Sequence, residues 1–375
     1  MPRPDVLLVS LGTTLGWRVA DEMLLEQLRR AGASTAVVSV GRGAADRLRR
    51  GYPLNDIVEM HAARRTVRTA VERHEPRALI LSSTTAAMLL PRLPIPYAVR
   101  FDSPARLNRP GARNAPLHAL ERRGMRGARI TIPYSVAGAE ALPAGAARAV
   151  VVSPPIDASA SHDSVERAER GRVAVAYVPD PKAKGLDVLV AGWAAAAVPG
   201  ARLEVYGIEP EWARSHLRRS GVPEPSSLDL KGTVAADLFR ARLRHARAYL
   251  AGARWEDWGQ APLEALADGA LLATVPSGGP YEGLRLARRL DASLVADEIE
   301  ATALAPAIRA AFEMPDERAS VYRDRAAELL RPYRSEAVQE TVTRELLPAL
   351  LASRGPRAGW LAPTPPRRPL AGGGP

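Results

Sequence analysis

Two glutamates, Glu256 and Glu264, stand eight positions apart around a glycine-bearing turn. The turn follows an apolar strand at 248–251, and a helix is predicted to begin at Pro262. Proline fits the first helical turn because its missing N–H leaves no hydrogen bond unmade. Free backbone N–H groups at a helix start, together with the helix dipole, favour phosphate. A carboxylate on each side of the turn can then hold hydroxyl groups on either side of a diphosphate, and this arrangement suits the binding of a sugar nucleotide.

At these residues the chain resembles the retaining glycosyltransferases of the GT-B fold. Their family-4-like donor motif, Glu-x7-Glu, has two glutamates separated by seven residues and is usually written Glu-Gly-Phe-Gly-x-x-x-x-Glu-Ala-x-Ala-x-Gly. In this chain Asp257 replaces the motif's first glycine and Trp258 its phenylalanine. The positions that match are Glu256, Gly259, Glu264, Ala265, Ala267 and Gly269.

The resemblance implies a role for each of these groups. Glu256 would face the donor sugar and take part in catalysis, and Glu264 would bind the ribose hydroxyls. Gly259 and Gln260, at the helix start, are assigned to donor binding as well. A solvated helix start that binds nothing is the alternative interpretation of the same spacing.

A second matching segment, Val-Pro-Asp-Pro-Lys-Ala-Lys-Gly-Leu-Asp, follows a predicted strand at 173–178. In the resembled family this loop carries an arginine and a lysine that neutralise the donor diphosphate. Such a cation is needed because the leaving nucleotide gains negative charge as the glycosidic bond breaks. Lys184 is therefore assigned to catalysis, while the family's arginine falls at Pro179 and Lys182 is its candidate replacement. Two solvated lysines beside a helix start remain the alternative.

A glycine pair, Gly278 and Gly279, precedes Glu282 in the pattern Gly-Gly-x-x-Glu. The family carries this pattern near the donor, and we assign all three residues to donor binding. An ordinary turn before a helix uses the same glycines. A serine that the family has shortly before its first motif glutamate is Ala253 here, which removes one hydroxyl contact.

In the first half of the chain, Gly12 and Gly16 border the turn between the first predicted strand and helix. Enzymes of the GT-B fold place a glycine loop there, and glycine lets a backbone approach a ligand closely; a plain tight turn is equally consistent. Asp102 follows a predicted strand and is assigned to catalysis in the interdomain cleft. The family's histidine is missing at this point, where Arg100 stands, and a salt bridge from Asp102 to a nearby arginine is the alternative.

Composition limits the remaining functions. The 375 residues include no cysteine and carry a net charge of +11, and residues 1–160 hold 23 arginines against 13 acidic residues. No metal-ligand motif is present, so we expect no metal and no cofactor apart from the donor.

A predicted helix at 60–74 places His61, Arg64, Arg65 and Arg68 on one face. That face suits peripheral contact with an anionic membrane, or it is an ordinary solvated face. No nucleic-acid motif appears, and no apolar run approaches the ~20 residues of a membrane span.

Apolar runs alternate with helical patterns along the chain, which predicts parallel, doubly wound sheets. Strands are predicted in both halves, including 6–10, 149–152 and 293–296. With the resemblance, this gives the α/β GT-B class, two Rossmann-like domains that face a cleft. The predicted segments are an acceptor domain 1–157, a linker 158–171, a donor domain 172–334, a helix 335–353 that returns to the first domain, and a disordered tail 354–375.

The sequence therefore predicts a cytoplasmic, metal-independent glycosyltransferase that moves a sugar from a nucleoside diphosphate to a hydroxyl acceptor with retention. Peripheral contact with the inner membrane face is the further expectation for its location. The acceptor class is open and includes glycans, lipid-linked compounds and small molecules. Two alternatives remain. A silent module that binds a sugar nucleotide or glycan is consistent with the losses at Pro179 and Ala253. A sugar-nucleotide 2-epimerase shares the fold, but its acid–base groups are not identifiable.

Overall fold

The computed structural model describes residues 3–12, 15–41, 54–159 and 171–352. Within these ranges the chain forms two five-stranded sheets in which all strand pairs are parallel. This architecture confirms the predicted α/β class with two doubly wound units. The predicted linker falls largely, and the predicted tail entirely, outside the described residues.

The first unit alternates strands and helices. Its strands are β1 (Val6–Ser10), β2 (Thr35–Ser39), β3 (Ala78–Leu81), β4 (Tyr97–Phe101) and β5 (Ile130–Pro133), and its helices are α1 (Leu15–Arg30), α2 (Leu54–His74), α3 (Thr84–Ala87), α4 (Ala105–Asn108), α5 (Ala115–Gly127) and α6 (Val136–Glu140). The sheet order is β2-β1-β3-β4-β5. The strand order therefore reverses at β1, and the carboxyl ends of β1 and β3 open a crevice.

Side chains of β1 divide between two cores because successive residues of a strand point to opposite faces. Val6 and Leu8 belong to the core that α1 covers, whereas Leu7 and Val9 belong to the core under α2. Both faces of the strand are thus buried, which explains why the sequence shows a continuous apolar run instead of an alternating pattern.

The second unit repeats the scheme. Its strands are β6 (Gly171–Tyr177), β7 (Arg202–Tyr206), β8 (Leu228–Gly232), β9 (Ala246–Ala251) and β10 (Leu271–Thr274), and its helices are α7 (Leu186–Ala196), α8 (Pro210–Arg219), α9 (Ala236–His245), α10 (Gln260–Ala267), α11 (Glu282–Leu290), α12 (Ala301–Glu313) and α13 (Asp316–Leu329). The sheet order is β10-β9-β6-β7-β8, with the reversal between β6 and β9. Helix α10 begins at Gln260, two residues before the predicted start at Pro262, which lies in its first turn.

The last helical segment returns to the first unit, as predicted. It consists of α14 (Ser335–Thr341), a π turn (Val342–Leu346) and α15 (Leu347–Leu351). Val338, Val342 and Leu346 are buried in the same core as Val6 and Leu8 of β1. This packing adds apolar contact that a terminal helix needs to stay folded against the first sheet.

Two predicted strands are absent from the sheets. Residues 149–152 run extended beside β5 and form one isolated bridge, from Ala149 to Thr131. Pro154 and Pro155 follow, and their missing N–H groups end the pairing. Residues 293–296 begin inside a 3₁₀ turn (Ala292–Leu294), which the carboxylate of Asp291 caps by accepting from the Ser293 N–H. The apolar content was interpreted correctly as buried, and each segment lies beside a strand, 149–152 beside β5 and 293–296 beside β10. The pairing is limited to one bridge in each case, from Ala149 to Thr131 and from Val295 to Thr274, so neither segment forms a full strand.

Among the described residues, no helix is both long and apolar enough to cross a bilayer.

Candidate functional site

Two loops of the second unit meet where its strand order reverses. Strand β6 pairs with β7 on one side and β9 on the other. In open parallel sheets, ligands bind outside the carboxyl ends of the strands at such a point. The chain leaves β6 toward Lys184 and leaves β9 toward Glu256, so the fold brings together residues that are 72 positions apart.

Lys184 and Glu256 form the central contact of this site. The Lys184 Nζ donates to Glu256 Oε2 at 2.6 Å. Their side chains are 28% and 14% exposed, so the pair is open to a ligand without being fully hydrated. Both residues were predicted as catalytic, and the structure places them side by side.

Gly185 and Gly252 allow the two loops to approach this closely. Gly185 has a φ of +63°, and a Cβ added there would lie 2.0 Å from the carbonyl oxygen of Gly252. Any other residue would push the loops apart at the position where Lys184 must reach Glu256. The glycine that follows Lys184 in the sequence is therefore required for a steric reason.

Arg254 was not predicted, yet it fixes the same two loops. Its guanidinium donates to both carboxylate oxygens of Asp187, at 2.6 and 3.1 Å, and to the carbonyl oxygen of Lys182 at 3.2 Å. Burial alone would raise the pKa of Asp187, but pairing with Arg254 holds it below its usual value. Lys182 itself has an exposed side chain at the rim of this loop.

Helix α10 positions Glu264 and Gln260. The Gln260 amide donates to Glu264 Oε1 at 2.9 Å. Gly259 caps the helix with a φ of +78°, and a Cβ there would lie 2.5 Å from the ring of Tyr281. These three predicted donor residues thus lie along the first five residues of α10 and its N-cap. Burial raises the pKa of Glu264.

Arg240, on α9, is a second group that sequence reasoning missed. Its guanidinium lies 3.6 Å from Glu264 Oε1 and pairs with Asp268 at 2.5 Å. It also donates to the carbonyl oxygen of Asp157, in the connection from the first unit. Arg240 therefore holds Glu264 in place and links it to the connection between the units.

The glycine pair lies against the Glu256 loop. A Cβ at Gly279, whose φ is +93°, would lie 2.4 Å from the carbonyl oxygen of Glu256. Gly278 accepts from the Glu256 N–H at 3.0 Å. Glu282 is buried, and its carboxylate accepts from Arg285 at 2.8 and 3.0 Å and from the hydroxyl of Tyr333. The structure thus brings both glycines to Glu256 but directs the Glu282 carboxylate toward the C-terminal segment.

The first unit contributes the region around Asp102. Gly12 has a φ of +55° and accepts from Arg18 at 3.0 Å, and Gly16 lies in the first turn of α1. Thr13 and Thr14, between them, lie outside the described residues. Trp17, which directly follows Gly16, donates its indole N–H to Asp102 Oδ2 at 3.2 Å. The predicted glycine turn is therefore adjacent to the predicted catalytic aspartate.

Arg100 does not share the cleft with Asp102. Its side chain is 1% exposed and donates to Asp21 Oδ1 at 2.7 Å and to the carbonyl oxygen of Ala20 at 2.9 Å. Its guanidinium also lies 4.5 Å from the ring centre of Tyr134. This buried ion pair joins β4 to α1 inside the first unit, and removal of one partner would leave an uncompensated charge.

Asp257, the residue that departs from the family glycine, faces Asp102 across the cleft. The two side chains are partly buried. Burial, reinforced by the negative charge of Asp257, raises the pKa of Asp102 to about 7. The pKa of Asp257 is raised as well, chiefly by burial, although the Trp255 indole and the Ser103 hydroxyl donate to it. The alternative of a salt bridge from Asp102 to an arginine receives no support, because its partners are Trp17 and the Ser103 N–H.

A pH dependence of stability follows from this pair. Between pH ~4, the unfolded value for an aspartate, and about 7, the folded chain retains a proton on Asp102 that the unfolded chain has lost. Folding stability should therefore fall as the pH rises through this window. Asp102→Asn removes this pH-dependent loss. We expect its effect on the unfolding free energy, relative to the original chain, to be more stabilising at pH 8 than at pH 5 by on the order of 1 kcal/mol.

Urea unfolding at both pH values measures this difference. The exposed Asp297 provides a matched control, since Asp297→Asn removes a carboxylate outside the cleft. Equal effects of Asp102→Asn at the two pH values would contradict the assigned pKa of Asp102.

The basic face of α2 is present as predicted: His61, Arg64, Arg65 and Arg68 are all exposed.

Within the described ranges, no group of three or more His, Cys, Asp or Glu side chains is placed to hold a metal ion.

Comparison with solved structures decides the fold. HepE from Anabaena, solved with UDP-glucose, superposes with a TM-score of 0.69 at 14% identity, covering 92% of this chain and 99% of that one. Sucrose-phosphate synthase from Thermosynechococcus elongatus gives 0.68 at 16% identity, covering 89% and 96%. The α,α-trehalose 6-phosphate synthase from Burkholderia multivorans gives 0.66 at 12% identity, covering 91% and 97%. This chain has the GT-B fold.

The likeness extends over nearly the whole length of each compared chain and includes both units. No family model matches the sequence, and no curated protein matches it. At this level of identity the comparisons establish the GT-B fold and leave the activity to be argued from the site.

Proposed function

We propose that the protein is a retaining glycosyltransferase that uses a nucleoside diphosphate sugar. The observation that carries the proposal is the contact of Lys184 with Glu256 at 2.6 Å, beside the start of α10, the helix that carries Glu264. A cation, a helix N-terminus and two carboxylates at one crevice match the parts of such a donor: diphosphate, ribose and sugar. Support also comes from HepE, which was solved with UDP-glucose.

The donor would lie across the Lys184 loop and the start of α10. Lys184 would leave Glu256 and pair with the diphosphate, because a phosphate carries more charge than a single carboxylate. Glu256 would then accept from hydroxyl groups of the donor sugar, and Glu264 from those of the ribose. This use of Lys184 and backbone N–H groups would make a metal ion unnecessary.

The reaction would exchange one bond for another at the anomeric carbon. The acceptor hydroxyl oxygen forms a bond to this carbon, and the bond from the carbon to the diphosphate oxygen breaks. The hydroxyl proton passes to the leaving diphosphate on the same face, so that the configuration is retained. Positive charge on Lys184 stabilises the leaving group as it becomes more negative. Retention rests on the resemblance of the Glu256–Gly269 motif.

A panel of UDP-, GDP-, ADP- and dTDP-sugars tests the proposal. With the accepted donor, the protein should release free nucleoside diphosphate, and a hydroxyl acceptor should gain the sugar. Binding without release would favour a silent sugar-nucleotide or glycan module, and a changed sugar would favour an epimerase. A bound nucleotide at 100 times its Kd would also raise the unfolding free energy by about 2.7 kcal/mol, which identifies the base by thermal shift.

We further propose peripheral contact with an anionic membrane through the exposed face of α2. Each arginine near an anionic surface contributes roughly 1 kcal/mol. We expect binding to vesicles that contain phosphatidylserine at low salt, and loss of binding as salt screens the charges. Replacement of the four basic side chains by glutamine should abolish binding to these vesicles; the variants are His61→Gln, Arg64→Gln, Arg65→Gln and Arg68→Gln, combined in one chain. Equal binding to neutral and anionic vesicles would contradict this contact.

A further inference from the structure

A cavity of about 520 Å³ lies between the two units. This size falls within the ~300–1,000 Å³ range of small-molecule sites. On the first unit its wall includes Leu107 of α4 and Ala137 of α6. On the second unit its wall includes Trp255, Gly279 and Pro280. Apolar and small groups therefore form most of the surface on both sides.

The cavity favours an uncharged ligand. Its single ionisable lining residue within the described part of the chain is Glu140, which is exposed. A carboxylate repels a phosphate, and among the residues that the structure describes no lysine, arginine or histidine lines the cavity to compensate. A phosphorylated or carboxylated ligand would lose water without gaining a cation there.

Trp255 is held in place on the wall of the cavity. Its indole N–H donates to Asp257 Oδ1 at 2.8 Å. Its backbone bridges to Gly278, and a Cβ added at Gly278 would lie 2.8 Å from the indole ring. The glycine thus makes room for the ring, which is partly exposed and offers a large apolar surface at fixed orientation.

The same wall adjoins the groups assigned to the donor sugar. Trp255 directly precedes Glu256. On the other side of the loop, Gly279 packs so closely that an added Cβ would lie 2.4 Å from the Glu256 carbonyl oxygen. A molecule in this cavity would therefore lie beside the position proposed for the sugar that is transferred.

We propose that this cavity is the acceptor site and that the acceptor is a neutral hydroxyl compound with an apolar face that stacks on Trp255. That the ligand is the acceptor of the sugar rests on the proposed function. The chemical class of the ligand rests on the residues that line the cavity. An apolar face can come from the CH surface of a sugar ring or from an aromatic aglycone.

Calorimetric binding to the full chain separates these cases. The probes are phenyl β-glucoside, methyl β-glucoside and glucose 6-phosphate. Phenyl β-glucoside should bind at least about tenfold more tightly than glucose 6-phosphate, and Trp255→Ala should weaken it by about tenfold. If methyl β-glucoside loses affinity equally in Trp255→Ala, the sugar face stacks on the indole. If phenyl β-glucoside alone loses affinity, the aglycone stacks there.

Two further variants keep the test independent of folding. Leu107→Asp places a charge on the opposite wall, without a change to the donor loop, and should also weaken phenyl β-glucoside binding. Trp212 is 72% exposed on α8, and Trp212→Ala should leave binding unchanged. Preference for glucose 6-phosphate, or unchanged affinity in both Trp255→Ala and Leu107→Asp, would overturn the inference.

The nucleotide-release assay distinguishes this inference from the proposed function. Release from a nucleotide sugar without Trp255-dependent binding of any probe would overturn the acceptor inference and leave the transferase proposal standing. Trp255-dependent binding without release from any nucleotide sugar would support the ligand class of the cavity and overturn the transferase proposal.

Discussion

Lys184→Ala is expected to slow sugar transfer by about 30- to 1,000-fold, which corresponds to a loss of ~2–4 kcal/mol of transition-state stabilisation. The lysine contributes little to the fold, because its side chain is 28% exposed and its partner is a carboxylate of the site itself. Its main role would be to stabilise the leaving diphosphate. Because charge on that group grows in the transition state, kcat should fall more than donor affinity. Steady-state kinetics with the accepted nucleotide sugar would measure both.

The chain contains three lysines, and the other two serve as comparisons. Lys182 lies in the same loop with an exposed side chain, and Lys231 lies on β8, 3.5 Å from Asp229. Lys231→Ala should not change transfer, and Lys184→Arg should restore part of it. Normal kinetics for a folded Lys184→Ala protein, with slow transfer for Lys182→Ala, would reassign the cation to Lys182.

Sequence reasoning predicted the strands of both sheets because a strand buried on both faces must be apolar throughout. The bounds of β1, residues 6–10, were predicted without error. The same property led to the strands predicted at 149–152 and 293–296, which pair with β5 and β10 through single bridges only, since burial alone does not extend the pairing of the backbone. Hydrogen-bonded pairing depends on distant parts of the chain, and composition does not report it.

The motif residues came together for a topological reason. Lys184 and Glu256 follow β6 and β9, which are neighbours in the sheet although 72 positions separate the two residues. Resemblance to a known fold was needed to expect that neighbourhood. The sequence alone would place each residue at a strand end and no more.

The partners of the motif residues could not be predicted. Arg254 pairs with Asp187, Arg240 with Glu264 and Asp268, and Asp257 faces Asp102. In a chain in which 52 of 375 residues are Lys or Arg, each acid has many candidate partners, and only the fold selects one. Asp257 offered a signal, since an acid stood where the resembled motif has glycine.

Glu264→Gln and Glu256→Gln are expected to separate donor binding from transfer. A hydrogen bond to a charged group contributes about 1.5–3 kcal/mol, so Glu264→Gln should weaken binding of the bare nucleoside diphosphate by roughly 10- to 150-fold.

Glutamine keeps the size of the Glu264 side chain, and Arg240 keeps its contacts with Asp268, so the start of α10 should persist. Glu256→Gln should leave nucleoside diphosphate binding nearly intact and reduce transfer, because its proposed partner is the donor sugar. Calorimetry with nucleoside diphosphate beside a transfer assay measures both effects, and Glu211→Gln, in the first turn of α8, is the matched control. If both site variants lose nucleotide binding equally, or neither changes, the two carboxylates do not divide the donor between ribose and sugar.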